Sequence, residues 1–134
     1  MSTKIFTPRS ARECAGSLLP VARLMCRLIR EMDGARAGAG GPDEPVARGY
    51  FSLVGGFLAA VGRIEAAGVR IKDPRAGLLD FPALRNGRPV FLCWWIAEPS
   101  VAFWHEPEAG LVGRRPVDDE GPWEEPPSVP PRQG

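Results

Sequence analysis

Three cysteines, one histidine and one tyrosine are all that these 134 residues hold of those types, and charge of neither sign dominates. Each scarcity excludes something. No segment approaches the roughly 18 apolar residues that a helical membrane span needs. The opening MSTKIFTPRSARECAGSLL has no basic leader followed by a continuous apolar run, so a cytoplasmic protein without membrane contact is expected. Cys14, Cys26 and Cys93 are an odd number at spacings of 12 and 67, which suits neither a compact zinc module nor a disulfide scaffold. The formal charge is +1 from 17 basic and 16 acidic residues. Residues 117–134 carry five of the acids against Arg132 alone, which leaves 16 basic and 11 acidic residues, near +5, in the rest. That excess is scattered, with no basic stripe to read as a nucleic-acid surface, and no nucleic-acid partner is expected. No complete catalytic signature occurs, so no catalytic residue is assigned and enzymatic activity is left open.

What is present suffices for one domain. A hydrophobic share of 44% over this length supports a core of its own, and a single domain over 1–116 is expected. Thr7 before Pro8 reads as a helix start. Ala11, Cys14, Leu18, Val21, Met25, Leu28, Ile29 and Met32 then recur at helical spacing with arginines between them. Pro20 predicts a kink or break near Gly16 to Leu19, and Asp33-Gly34 an end. After the small-residue connection from Gly34 to Pro45, a second stripe from Val46 through Tyr50, Leu53, Phe57, Leu58 and Val61 to Ile64 stops at Gly68. The pair reads as an antiparallel helical hairpin. Gly55-Gly56 and Ala59-Ala60 in mid-helix point to close approach of another backbone, in this chain or in a second copy.

Beyond Gly68 the pattern alternates. Val69 to Lys72, Leu78 to Leu84, Val90 to Ile96 and Val101 to His105 read as four strands of an antiparallel meander, with Asn86-Gly87 as a tight hairpin turn. The fold class is therefore α+β. Pro82 and Pro89 suit edge positions or bulges. If the second hairpin turns at Glu98-Pro99, Asp80 faces Cys93 and Cys93 faces Trp104. Asp80, Cys93, Trp95 and Trp104 then share one face, and Leu79, Phe81, Leu92, Trp94, Phe103 and His105 share the other, which packs on the helices. A slip of one residue exchanges the faces. Residues 117–134, acidic and proline-rich, read as an unstructured tail, with Trp123 as a candidate docking point for a protein partner.

The run GVRIKDPRAGLLDFPALRNGRPVFLCWWIAEPSVAFWHEPEAGLVGRRP and the opening FTPRSARECAGSLLP resemble a bacterial family known only as domain of unknown function 2203. The likeness covers about residues 5 to 116. It is carried by Ile71-Lys72-Asp73, Asp80-Phe81-Pro82, Leu92-Cys93-Trp94, Glu98, Trp104-His105 and Gly113-Arg114, and departs at Ala97, where the family commonly has glycine, and in the short helical hairpin. It implies a helical hairpin with a small β element and no established activity.

Several chemistries compete for these residues. Asp80, Cys93, Glu98 and His105, with Arg88 nearby, form a candidate polar site of zinc- or iron-ligand types. The expected register sets Cys93 and His105 on opposite faces, which argues against a Cys-His nucleophile pair and leaves metal binding through Asp80, Cys93, Glu98 and His105 as a second alternative. Trp94, Trp95 and Trp104 with Arg114 and Arg115 offer stacking surfaces and guanidiniums for a phosphorylated aromatic ligand such as flavin mononucleotide (FMN). The bland reading of the tryptophans is a sheet core. A non-catalytic accessory or interaction module, acting as a homodimer through the helical surface, is the leading expectation.

Overall fold

Thr7 starts the first helix as its side chain predicts. Its hydroxyl accepts from the Ser10 amide at 3.1 Å while the Ser10 hydroxyl accepts from the Thr7 amide at 2.9 Å, a reciprocal cap that satisfies two free donors. The computed structural model describes residues 4–38 and 49–126. Helix α1 runs unbroken over Pro8–Ala37, three residues past the expected end. Pro20 sits inside it without breaking it. Both Pro20 and Gly16, whose carbonyl loses its donor, are exposed, so water can replace the missing bond.

Helix α2 spans Tyr50–Ala66, and Gly68 beyond it takes the left-handed conformation with φ +87. The expected start at Val46 and most of the Gly34 to Pro45 connection lie outside the described residues. The chain returns antiparallel: the Arg36 guanidinium lies 5.8 Å from the Tyr50 ring, and a Cβ on Gly56 would lie 3.2 Å from Leu28. What Gly56 accommodates is thus the Leu28 side chain of α1 rather than another backbone. Gly55 has open space above it.

The sheet is a five-stranded antiparallel meander in sequence order: β1 Arg70–Asp73, β2 Leu78–Arg85, β3 Arg88–Trp95, β4 Phe103–His105 and β5 Arg115–Pro116. Asn86 and Gly87 both adopt positive φ, 53 and 78, at the β2–β3 turn, as a two-residue hairpin of this type requires. Pro82 is tolerated because β1 pairs no further along β2 than Asp80. Its carbonyl accepts from the Phe6 amide at 2.7 Å on the side away from β3, so the missing N–H interrupts no ladder.

One face of the sheet carries Leu79, Phe81, Leu92, Trp94 and Trp104 into a single core cluster with Ala11, Ala15, Leu18, Ala22 and Met25 of α1 and Ile64 of α2. The alanines keep α1 thin on the side that meets the strands. Each large apolar side chain buried there contributes about 2 kcal/mol by removal from water.

Of the segment expected to be unstructured, residues 117–126 are described and follow the sheet, and 127–134 lie outside the described residues. The Val117 amide donates to the Ala102 carbonyl, and the Asn86 and Glu124 amides exchange bonds with Pro122 and Leu84 carbonyls across the hairpin. Trp123 meets Trp104 edge-on at 6.0 Å, and the Arg85 guanidinium lies 5.0 Å from both rings. A segment too polar to build its own core is held on an existing one by backbone bonds and a single indole.

Candidate metal centre

The β2–β3 register places Asp80 opposite Cys93, as expected. The next pairing differs by one residue: Leu92, not Cys93, faces Trp104, and Cys93 faces Phe103. The cause is local. Seven residues separate the ends of β3 and β4, and Glu98 shapes the turn, its carboxylate accepting from the Trp95 amide at 2.8 Å and its own amide donating to the Trp95 carbonyl at 2.8 Å. A one-residue shift in an alternating strand exchanges its faces. Trp104 therefore joins the helix-facing core, and Phe103 and His105 join Asp80 and Cys93, correcting the expectation that Cys93 and His105 point apart.

The result is a buried cluster. Asp80, Cys93 and His105 are 3%, 1% and 2% exposed, and one potential ligand atom from each lies within 4.8 Å of the other two. The His105 Nδ1 sits 2.7 Å from the Glu106 carbonyl oxygen. A carbonyl only accepts, so Nδ1 carries a hydrogen, and the 3.1 Å contact between Nε2 and Asp80 Oδ1 is a hydrogen bond only with a second proton between those two atoms. Burial, reinforced by the neighbouring Asp80 carboxylate, pushes the Cys93 thiol up to about 12. The cluster shares its face with two cation–aromatic contacts, Arg70 at 5.0 Å from the Phe91 ring and Arg114 at 4.1 Å from the Phe103 ring.

The shifted register also brings a cysteine and a histidine together, but not as a nucleophile pair. A thiol held at about 12 and almost wholly buried supplies neither thiolate nor access, and Nε2 is engaged with Asp80. The arrangement has instead the features of metal ligation. It offers sulfur, imidazole nitrogen and carboxylate oxygen, with the histidine oriented by a backbone carbonyl through its other nitrogen.

The remaining candidates separate. Glu98 is spent on the Trp95 amide and on Arg114, whose Nη2 lies 2.6 Å from its carboxylate. Arg88 is exposed at the far end of the hairpin opposite Arg85. Asp80 pairs with His105 rather than with Arg85 or Arg88, since Arg85 lies between Trp104 and Trp123. The residues proposed for a phosphorylated aromatic ligand do not converge. Trp94 and Trp104 are core residues at 3% and 7% exposure, Arg114 is tied to Glu98, and Arg115 lies 5.3 Å over the Trp104 ring. Trp95 alone of these tryptophans is exposed, at 40%. Arg23, Arg27 and Arg30, which fall between the apolar positions of α1, line a groove beside Trp95. Their spacing of four and three residues was the available signal.

A family model described as an uncharacterized conserved protein matches residues 4–117. The chain belongs to the DUF2203 family. All three candidate ligands fall inside the matched DUF2203 span, as do both helices and all five strands. No curated protein and no solved structure is a match. No described helix is long and apolar enough to cross a membrane.

Proposed function

We propose that this DUF2203 protein binds one divalent transition-metal ion, of the zinc class, through Asp80 Oδ, Cys93 Sγ and His105 Nε2. The observation that carries the reading is the convergence of the three buried donor atoms within 4.8 Å. Zinc holds such donors at roughly 2.0 to 2.3 Å, so small side-chain adjustments close the site. Once the ion displaces the Cys93 proton, the thiolate and the Asp80 carboxylate together balance the charge of a divalent ion, and the Nδ1 bond to Glu106 fixes the ring that ligates. Three protein donors leave a fourth position for water. Purified protein analysed for metals is expected to hold one zinc or iron per chain, and cobalt reconstitution to give sulfur-to-cobalt charge-transfer absorption that Cys93→Ser abolishes. Protein that remains metal-free after reconstitution, with no such absorption, would overturn the reading.

A second reading, homodimerisation, is favoured by the outer face of α2. Phe51 and Leu58 are 80% and 59% exposed, and Gly55 and Gly62 on the same helical face have open space above them. Such a face lets two helices approach closely and covers two large apolar side chains per chain. A dimer by light scattering that Leu58→Glu converts to monomer supports it; a monomer at all concentrations removes it. The setting we assign is the cytoplasm, where the three free thiols of Cys14, Cys26 and Cys93 stay reduced.

A further inference from the structure

The groove between α1 and the end of β3 combines charge with an aromatic shelf. Arg23, Arg27 and Arg30 stand on one ridge of α1 and line a hollow of 820 Å³ whose other wall is Ala76, Trp95, Ile96 and Ala97. The single carboxylate there belongs to Glu31, which meets Arg27 only loosely at 3.9 Å. Arg30 donates to the Arg75 carbonyl at 3.1 Å, and Arg23 has no ion-pair partner among the described residues. Three guanidiniums thus face one hollow with little internal neutralisation, which leaves their positive charge available to an anion.

Trp95, partly exposed at the end of β3, belongs to the opposite wall and is held in place. Its indole N–H donates to the Ala76 carbonyl at 2.8 Å and its amide to the Glu98 carboxylate at 2.8 Å, so the partly exposed ring is oriented before anything binds. Gly77 makes the wall possible. At φ +74, a side chain there would be strained, and its Cβ would lie 2.6 Å from Ile96 and 3.1 Å from the Cys26 sulfur. The groove continues past Arg23 and Ala97, which also line a 450 Å³ hollow beside Arg12 and Ser100. An elongated ligand therefore has room.

We propose that this groove binds a small phosphorylated molecule with a planar ring, of the nucleotide or flavin-phosphate class. The ring stacks on Trp95 and the phosphates lie on the Arg23, Arg27 and Arg30 ridge. Stacking supplies area and orientation, and planar guanidiniums match phosphate oxygens two at a time. The groove shares no residue with the Asp80, Cys93 and His105 cluster, so the proposal stands independently of the metal reading.

The test is calorimetric titration of the full-length protein with ADP, FMN, pyrophosphate and a single-stranded oligonucleotide. ADP or FMN is expected to bind in the micromolar to millimolar range. Arg27→Glu, at an exposed helix position, is expected to weaken it at least about tenfold. Trp95→Ala is expected to weaken ADP or FMN while leaving pyrophosphate unchanged, and Trp95→Phe to restore most of the affinity. Circular dichroism and metal content should stay at wild-type values in these variants. Absence of ADP and FMN binding at millimolar concentration overturns the proposal, as does binding indifferent to Arg27→Glu. Pyrophosphate binding as tight as ADP, with Trp95→Ala silent, reduces the groove to an anion site and overturns the ring assignment. Preference for the oligonucleotide through the same residues overturns the small-molecule assignment.

Discussion

On the helix side of the sheet Leu79, Phe81 and Leu92 are fully buried in an apolar cluster, while on the other side Asp80 and Cys93, at adjacent positions of the same strands, and His105 of β4 are almost as buried but meet nitrogen, oxygen and sulfur. The first face is held by a non-directional force proportional to area, and tolerates exchanges that conserve volume. The second is held by directed bonds, each of which must find its partner, because an unpaired buried polar group costs roughly 1 to 3 kcal/mol. A fold needs only the first kind of face to be stable. The second kind is an expense that makes sense where donor atoms are wanted together.

The largest test of the comparison removes bulk from the helix side. Phe81→Ala should destabilise the protein by about 3 to 5 kcal/mol in urea unfolding, since the ring packs edge-on against Phe6 at 5.2 Å and leaves a cavity. Metal binding by the residual folded protein should survive. On the other face, zinc at about a hundred times its dissociation constant should add close to 2.7 kcal/mol to wild-type stability. His105→Ala and Cys93→Ala should lose that increment while Leu92→Met keeps it. If zinc stabilises His105→Ala as much as wild type, the two faces do not differ in the way described.

Two smaller effects sharpen the picture at the sheet's margin. Trp123→Ala should cost about 1 to 2 kcal/mol, through loss of the edge-on contact with Trp104 and of the cation–aromatic contact with Arg85. The readout is urea unfolding together with amide exchange at Asn86 and Glu124. The smallest effect concerns Arg12 and Asp119, paired through two bonds of 2.6 and 2.9 Å at an exposed position. The Arg12 guanidinium holds the Asp119 carboxyl below its ordinary 3.8. A depressed carboxylate stabilises at neutral pH and loses that contribution as pH falls through its folded value. Docking of 117–126, followed by tryptophan fluorescence, should therefore loosen only in acid, and high salt should weaken the pair; a surface pair of this kind contributes under about 1 kcal/mol. Asp119→Asn should remove the acid-dependent step.

Much of the architecture was legible in particular residues. Thr7 and Pro8 mark the α1 start, Asn86-Gly87 fixes the first hairpin and its register, and Gly68 ends the second helical segment. Each is a local rule in which a side chain or a φ angle has few alternatives. Pro20 shows the limit of such rules, because an exposed proline costs a helix one bond that water can replace. The fifth strand and the docked Trp123 were not legible, since Arg115-Pro116 and residues 117–126 take their structure from surfaces formed elsewhere in the chain.

The candidate site divides in the same way. The alternation of β2 and β3 and the Asn86-Gly87 turn put Asp80 beside Cys93 from sequence alone. Whether His105 joins them depends on the parity of a seven-residue connection, and that parity is set by how the Glu98 side chain caps the Trp95 amide. Sequence determined the elements, the first register and the residue types able to ligate. Only the tertiary structure decided which face His105 occupies, because in a period-two strand one residue of slack in a wide turn reverses every side chain beyond it.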